Sequence, residues 1–306
     1  MEHWRRSPLV FWATSLPPTF WLVAFFLAPL AIVWVLSFGE KQGLIEIAIT
    51  WTFDNYGRAL NALYLEIFAK SMWMAAVTTF ICLVVAFPVA FAITFAPERW
   101  KPVLLLLVIL PFWTNLLIRT YALIAVLRTR GYVNFTLEWF WDQGNWLLTL
   151  LGLGEAQLLG ERFEPLTLLY NNFAVVFGLV YVGLPFMVLP LYASLDRMDR
   201  SYIEASLDLG ASQFRTLFTI VIPLAKAGII SGVIITFIPA MGSFLTPDLL
   251  GGTDSQMIAN VIERQFKSAN DWPFGSALSF ILMYATFFAL ALRAMLSKSG
   301  SAMEAG

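Results

Sequence analysis

Residues 201–223 read SYIEASLDLGASQFRTLFTIVIP, a long polar-rich run that ends directly against a hydrophobic stretch on both sides. The flanking stretches, 165–195 and 227–247, carry no charged side chain. Because the run is joined covalently to both stretches, a partner that contacts it can move the hydrophobic part of the chain. The rest of the chain is organised around this run.

The first half of the run predicts a short helix. Ser201 and Glu204 fit a capping box, in which the Ser hydroxyl accepts a backbone N–H and the Glu side chain reaches back to the helix start. Gly210 stands where a residue of left-handed conformation would end the helix at little cost. One face of the helix is predicted to carry small and apolar groups, namely Tyr202, Ala205, Ser206 and Leu209.

The second half predicts another helix, which Ser212 can cap and which Pro223 disturbs. Its predicted common face comprises Phe214, Leu217, Phe218 and Val221. On the first helix, Glu204 and Asp208 form a like-charge pair at i and i+4, which is unfavourable unless a cation lies opposite. The two helices form either a solvated hairpin on the membrane surface or a docking element for a basic partner.

Composition indicates a membrane protein. The 306 residues are 59% hydrophobic and 13% charged, whereas an ordinary soluble domain is about 25% charged. A helix that crosses the hydrocarbon core needs about 20 residues, and six charge-poor runs reach roughly this length. We expect an all-α, polytopic membrane protein with a single transmembrane domain, 1–306, and a polar helical loop at 196–225. The predicted spans are about 20–38, 71–95, 103–122, 171–193, 227–246 and 276–295.

Six spans place both termini on the same side of the membrane. The connecting segments on that side are shorter in total and have the higher density of Lys and Arg, as the positive-inside bias requires on the cytoplasmic side. The segments on the other side carry more acidic than basic residues, which favours an attraction for cations there. We therefore expect both termini, and the 201–223 run, to lie in the cytoplasm.

The inventory of reactive residues excludes several functions. The chain has one His, His3, and one Cys, Cys82, so the spans cannot build a Ser-His hydrolase or a His-ligated metal site. No Lys follows Gly and precedes Ser or Thr, so the chain lacks the phosphate-binding loop with which it could hydrolyse nucleotide itself. Nucleic acid binding is not expected at a net charge of −1 without a basic stripe.

Polar residues within the spans and outer segments are candidates for a translocation path. Trp113, Asn115 and Tyr121 lie in or beside the third span, where such residues face a cavity or a partner helix. Carboxylates and aromatic faces are groups that can bind an organic cation, by charge pairing and cation–π contact. The acidic candidates are Asp248, Asp254, Glu263 and Asp271. For each of these residues, the alternative is ordinary packing at the interface or contact with a binding protein.

The long outer segment 124–170 has no span of its own, and we expect it to form a cap with short helices. Its apolar piece 143–154 is too short to cross the membrane and is expected to lie on the outer surface or to be re-entrant.

The 201–223 run resembles the EAA loop of bacterial ABC importer permeases. In that family the pattern is EAA, three residues, Gly, nine residues, then I-x-L-P; here Glu204-Ala205-Ser206, Gly210 and Ile220 to Pro223 match it, with Ser206 for the second Ala and Ile222 for the Leu. The resemblance implies that the run is the coupling helix, which docks on a separate ATP-hydrolysing subunit. That subunit would also be the partner that the like-charged Glu204 and Asp208 require.

Further motifs narrow the resemblance to the first permease subunit of spermidine/putrescine importers. They are DNY at 54–56, PFWTNLLIR at 111–119, PFMVLPLY at 185–192, PAMG at 239–242 and DWPFG at 271–275. The resemblance implies a bacterial inner-membrane assembly with a second, unlike permease, an ATPase dimer and a periplasmic polyamine-binding protein. It implies that ATP and Mg²⁺ are bound by the ATPase, with no cofactor and no catalytic residue in this chain.

Two alternatives remain at this stage. The same machinery could carry another small solute, such as a different organic cation, an anion or an amino-acid-like compound. Alternatively, the chain could be an ATP-independent carrier or channel, although its spans lack the interior ionisable residues that ion coupling uses. A membrane-embedded enzyme is the remotest option, given the missing His and Cys chemistry.

Overall fold

A computed structural model describes residues 8–43, 46–150 and 162–303. The chain divides into two compact units, one formed by residues 1–66 with 261–306 and the other by residues 67–260. The described residues are mostly helical, with almost no strand, as the sequence predicts. The two boundaries fall inside helices α4 (Ala62–Phe95) and α14 (Ile258–Lys267).

The first unit contains helices from both ends of the chain. Helix α15 (Trp272–Met303) packs against α2 (Ala28–Leu36), α3 (Asp54–Ala59) and strand β1 (Gly39–Gln42), so α15 forms part of this unit's core. Trp34 Nε1 donates a hydrogen bond of 3.1 Å to Tyr284 Oη and links α2 to α15. The elements are α1 Pro8–Leu22, a π-helical turn Val23–Leu27, α2 Ala28–Leu36, β1 Gly39–Gln42, β2 Glu46–Ile49, α3 Asp54–Ala59 and α15 Trp272–Met303.

The strands β1 and β2 pair antiparallel, with Gly39 opposite Ile49 and Gln42 opposite Glu46. This strand hairpin was not predicted from the sequence. Its cause lies in Gly43, which has φ +72° after β1, and in the β-branched Ile47 and Ile49, which favour extended backbone.

The second unit contains the 201–223 run and the helices on either side of it. Besides most of α4, its elements are α5 Lys101–Ile109, a 3₁₀ turn Leu110–Trp113, α6 Leu116–Leu127, α7 Tyr132–Leu150, α8 Asn172–Asp196, α9 Ser201–Asp208, α10 Gln213–Thr216, a π-helical turn Leu217–Val221, α11 Ile222–Leu224, α12 Lys226–Met241, α13 Leu245–Leu250 and a 3₁₀ turn Thr253–Ser255. Its main core joins Cys82, Ala86 and Ala90 of α4 to residues of α8 such as Met187 and Leu191.

Helices α8 and α12 are packed closely because glycines lie at their crossing. A Cβ added at Gly228 would clash with Ser194 Cβ and would lie 2.7 Å from the Pro190 carbonyl oxygen. A Cβ at Gly232 would lie 2.6 Å from Met187 Sδ. Such Gly-x-x-x-Gly spacing lets two backbones approach within a membrane. The helices on either side of the 201–223 run therefore form one packed pair.

The predicted third span, 103–122, is not one continuous helix. Lys101–Trp113 and the helices of Leu116–Leu150 meet at an angle of 93°, with Thr114 and Asn115 in extended conformation between them. Pro111 and the Asn115 cap explain the break, because proline removes one backbone donor and Asn115 begins a new helix. In the predicted fifth span, α12 ends at Met241, just beyond Pro239.

Three described helices are long and apolar enough to cross a membrane, namely Val10–Leu36, Ala62–Phe95 and Asn172–Asp196. Up to five spans result if the bent pairs Lys101–Trp113 with Leu116–Leu150, and Gln213–Leu224 with Lys226–Met241, each count as one. The apolar part of α15, Trp272–Phe288, is shorter. In the outer segment 124–170, α7 is a helix of 19 residues, and residues 151–154 of the apolar piece lie outside the described residues.

Candidate functional site

The 201–223 run forms the predicted helical hairpin, but its first helix begins differently from the prediction. The Ser201 side chain does not cap the helix. Instead, the Ser201 backbone N–H donates a hydrogen bond of 2.9 Å to Asp199 Oδ1, and α9 begins at Ser201 itself. Hydrogen bonds from the Ser201 backbone and hydroxyl lower the pKa of the Asp199 carboxyl. The capping-box prediction is therefore wrong, because the Asp199 carboxylate, two residues upstream, accepts the Ser201 N–H that Glu204 was expected to bind.

Gly210 ends α9 in the way predicted. Its φ is +81°, and its N–H donates to the Leu207 carbonyl while the Ala211 N–H donates to the Ser206 carbonyl. This pair of bonds is a Schellman motif, which satisfies the last carbonyls of the helix. A Cβ at Gly210 would have no described atom within 4 Å, so conformation alone requires glycine here within this chain.

The second helix is capped as predicted and then widens. Ser212 Oγ accepts the Arg215 N–H at 3.3 Å. The helix becomes π-helical over Leu217–Val221, and the Ile222 N–H donates to the Leu217 carbonyl. Pro223 follows at once and has no N–H to donate. The hairpin thus joins α12 through a bend of 68°.

The outward face of the hairpin carries both charged and apolar side chains. Ile203 and Ser206 are half-buried, whereas Leu209 is 89% exposed and Phe214 is 77% exposed. Glu204 and Asp208 are also exposed, and neither has a Lys or Arg within ion-pairing distance in the described part of the chain. The predicted apolar faces are thus divided, with Val221 buried and Leu209 and Phe214 exposed, and the hairpin presents carboxylates beside apolar side chains.

Two hydrogen bonds and a cation–π contact hold the hairpin helices together and against the end of α4. Ser206 Oγ and Thr216 Oγ1 share a hydrogen bond of 2.9 Å between α9 and α10. Arg200 Nη2 donates to the Thr94 carbonyl at 3.1 Å, and its guanidinium lies 5.1 Å from the centre of the Phe95 ring. These contacts fix the two hairpin helices to each other and to the end of α4.

Just before the hairpin, Lys101 Nζ lies 2.9 Å from Asp196 Oδ1 and 2.7 Å from Glu98 Oε1. The Lys101 side chain is buried, so its charge is compensated by two carboxylates rather than by water. This cluster ties the start of α5 to the end of α8.

The candidates for the translocation path in the second unit differ in exposure and in whether their side chains are hydrogen-bonded. Trp113 is 76% exposed, and Tyr121 is exposed as well. Asn115 instead caps α6, because its Oδ1 accepts the Leu117 N–H at 2.8 Å. Asp248 and Asp254 are exposed, on α13 and on the 3₁₀ turn that follows it. Helix α13 packs against both α6 and α8, which brings the helices that carry Tyr121 and Asp248 together.

The two candidates of the first unit already have partners within that unit. Asp271 Oδ2 lies 3.1 Å from Arg58 Nη1, and Asp271 Oδ1 accepts the Phe274 N–H at the start of α15. Glu263 Oε1 lies 2.8 Å from Lys267 Nζ. Both carboxylates are therefore already bonded within the chain, and their place in a translocation path stays a prediction.

Arg119 ends the PFWTNLLIR motif, within the predicted third span, and was given no role of its own from the sequence. Arg119 Nε and Nη1 are buried and have no hydrogen-bond partner in the described part of the chain. The guanidinium carbon lies 5.6 Å from the centre of the Phe112 ring. A lone charge in an apolar run is the pattern that could have marked this residue.

A family model described as the inner membrane component of binding-protein-dependent transport systems matches residues 7–298. It therefore covers both compact units and the whole hairpin.

The chain is similar to curated transport proteins over most of its length. It is 40% identical over 262 residues to the spermidine/putrescine transport system permease protein PotB of Escherichia coli (strain K12), covering 86% of this chain and 88% of the relative. It is 38% identical over 259 residues to the protein of the same name from Haemophilus influenzae, covering 85% of this chain and 84% of the relative.

Among solved structures, the chain is similar to a subunit of a bacterial alginate ABC transporter in complex with an alginate pentasaccharide-bound periplasmic protein. The TM-score is 0.68, with coverage of 97% of this chain and 99% of that chain. The identity is 13%, so this likeness shows the fold alone.

Proposed function

The chain belongs to the family of inner membrane components of binding-protein-dependent transport systems, and we propose that it lines the translocation path of an ATP-driven polyamine importer. It is a multi-pass inner-membrane transport subunit rather than an enzyme. The observation that carries the choice of solute is the 40% identity to the spermidine/putrescine permease over 86% of this chain.

The hairpin supports the proposed coupling to a separate ATPase. Its outward face combines the unpaired carboxylates Glu204 and Asp208 with the exposed Leu209 and Phe214. Such side chains gain about 25 cal/mol for each Å² that a partner covers, so a partner that packs on Leu209 and Phe214 would be favoured. In the proposal this face docks on the ATPase, with Ala205, Ser206, Gly210 and Pro223 fixing its shape.

Movement reaches the membrane helices through covalent and packed connections. The hairpin is continuous with α8 and α12, and those helices pack tightly at Gly228 and Gly232. Closure of the ATPase dimer would therefore move both helices as a pair and shift the permease between outward-open and inward-open states. ATP and Mg²⁺ are bound by the ATPase in this scheme.

The proposed assembly contains a second, unlike permease and a periplasmic polyamine-binding protein, and both termini of this chain are cytoplasmic. In the part of the path formed by the second unit, the exposed Trp113, Tyr121 and Asp248 are the contacts we favour for a polyammonium. Cation–π contacts with such rings contribute about 0.5–2 kcal/mol each. Asn115, Glu263 and Asp271 are assigned to structure instead, because their side chains are already bonded.

The solute is tested by competition in the assembled transporter with its cognate binding protein. We expect unlabelled putrescine to compete with labelled spermidine, whereas an anionic oligosaccharide and neutral amino acids do not. We expect Trp113→Ala to lower spermidine uptake severalfold, with Trp146→Ala on the exposed surface of α7 as the matched control. Competition by an anion, or equal effects of both variants, would contradict the proposed path.

A further inference from the structure

Two adjoining cavities lie where the hairpin meets the end of α4. The first, the apolar groove, has a volume of about 490 Å³ and is lined chiefly by Phe87, Phe91, Phe95, Ile203, Leu207 and Leu217. The second, the polar pocket, has a volume of about 380 Å³ and includes Thr94, Glu98, Lys101, Asp196 and Arg200. Phe95 lines both cavities, so an apolar space and a charged space meet at one ring.

The groove follows the apolar part of a membrane helix. Phe87 and Phe95 are eight residues apart, which corresponds to about 12 Å along α4. Leu207 and Phe95 are 42% and 38% exposed within the chain, although apolar groups of this size favour an apolar neighbour. A groove that extends this far along a span fits a lipid acyl chain better than a side chain of a soluble ATPase.

The polar pocket presents one cation with free donors and two carboxylates. Arg200 uses Nη2 on the Thr94 carbonyl, so most of its five N–H donors remain for a phosphate oxygen. Lys101 is buried and held by both acids. Glu98 and Asp196 have side chains that are 82% and 38% exposed. Together they carry two negative charges, and Lys101 neutralises one of them.

We propose that the two cavities bind one aminophospholipid of the surrounding bilayer. An acyl chain lies in the apolar groove, the phosphodiester contacts Arg200, and the primary ammonium contacts Glu98 and Asp196. The charges favour a zwitterionic headgroup over a purely anionic one, because an anion alone would face two carboxylates. The bound lipid seals the hairpin against α4, and this role is independent of which solute is carried.

The test is a lipid titration of the purified full-length chain, stripped of lipid in detergent and followed by native mass spectrometry. Phosphatidylethanolamine, phosphatidylcholine and phosphatidylglycerol with identical acyl chains serve as probes. We expect one phosphatidylethanolamine per chain, bound at least about 10-fold more tightly than the others, since one charge-assisted hydrogen bond corresponds to roughly this factor or more. Equal binding of all three lipids, or no stoichiometric lipid, would overturn the proposal.

Matched variants locate the site. Arg200→Gln should weaken all three lipids, Glu98→Gln should remove the preference for the primary amine, and Leu207→Trp should fill the groove and displace lipid. Arg215→Gln and Leu209→Trp are the controls, because both residues are exposed on the same hairpin and line neither cavity. If the controls lower binding as much as the test variants, the lipid does not occupy these cavities.

A photo-crosslinking amino acid at Phe91 in the assembled transporter identifies the occupant directly. We expect it to attach to phospholipid. Attachment to the ATPase or to the second permease would show that a protein segment fills the groove, and would overturn the proposal.

Discussion

Ser206 is a residue at which this chain departs from the EAA pattern, which has alanine there, and the structure shows what the hydroxyl does. It shares a hydrogen bond of 2.9 Å with Thr216 Oγ1. Thr216 is only 3% exposed, so water cannot easily replace Ser206 as its partner. The Ser hydroxyl therefore closes the hairpin at the position where the resembled family has a methyl group.

We expect Ser206→Ala to destabilise the chain by about 1 kcal/mol, because it leaves the buried Thr216 hydroxyl unpaired. The melting temperature of the purified chain is the measurement. In the double variant with Thr216→Val, most of this loss should disappear, since neither hydroxyl then lacks a partner. Strictly additive losses in the double-mutant cycle would show that the two hydroxyls do not interact.

Single residues also show why the sequence alone cannot assign polar side chains to the translocation path. Asn115, Glu263 and Asp271 were selected for the polar chemistry that a cation requires, but the same chemistry caps helices and forms ion pairs. Sequence cannot separate these uses, because the partner atoms come from the backbone or from distant residues. Arg58 is 213 positions from Asp271.

At the scale of elements, the hairpin was predictable where the causes are local. Gly210 and Ser212 act on their own backbone neighbours, and the structure confirms both predictions. The start of α9 was wrong because Asp199 competes for the Ser201 N–H. The apolar faces of the two helices were predictable only as stripes, because periodicity does not say whether this chain or a partner covers a stripe.

We expect Gly210→Ala to impair coupling by strain rather than by bulk. An L-residue at φ +81° costs about 1–2 kcal/mol, and no described atom lies within 4 Å of the added methyl group. Gly210→Asn should be milder, since Asn tolerates the left-handed region. ATP-driven uptake and the amount of protein in the membrane are the two readouts. The strain argument fails if Asn impairs uptake as much as Ala does.

Two Gly→Ala substitutions should have opposite effects, one at the crossing of α8 and α12 and the other on the open surface of α3. Gly228→Ala should lower the melting temperature by several degrees, because its Cβ meets Ser194 Cβ and the Pro190 carbonyl. Gly57→Ala should raise it slightly, since Gly57 lies in helix α3 with nothing within 4 Å and alanine favours helix by about 1 kcal/mol. Similar shifts for both variants would show that α8 and α12 are not held by close contact.

At the scale of the whole molecule, hydrophobic composition predicted the class of protein correctly because lipid restricts a spanning chain to internally bonded helices or barrels. The division of the chain into residues 1–66 with 261–306 and residues 67–260 had no counterpart in composition. It depends on contacts between segments far apart in sequence, such as those of α15 with α2 and α3.

The central claim is that a separate ATPase drives polyamine import through the 201–223 hairpin. The most direct measurement is spermidine uptake into proteoliposomes that contain the complete transporter and its binding protein, with wild-type chain or Glu204→Lys. We predict uptake that requires ATP and that falls at least about tenfold in Glu204→Lys, because the reversed charge on the exposed docking face disfavours a basic partner. The account would be contradicted if Glu204→Lys took up spermidine at the wild-type rate, or if this chain took up spermidine without the ATPase.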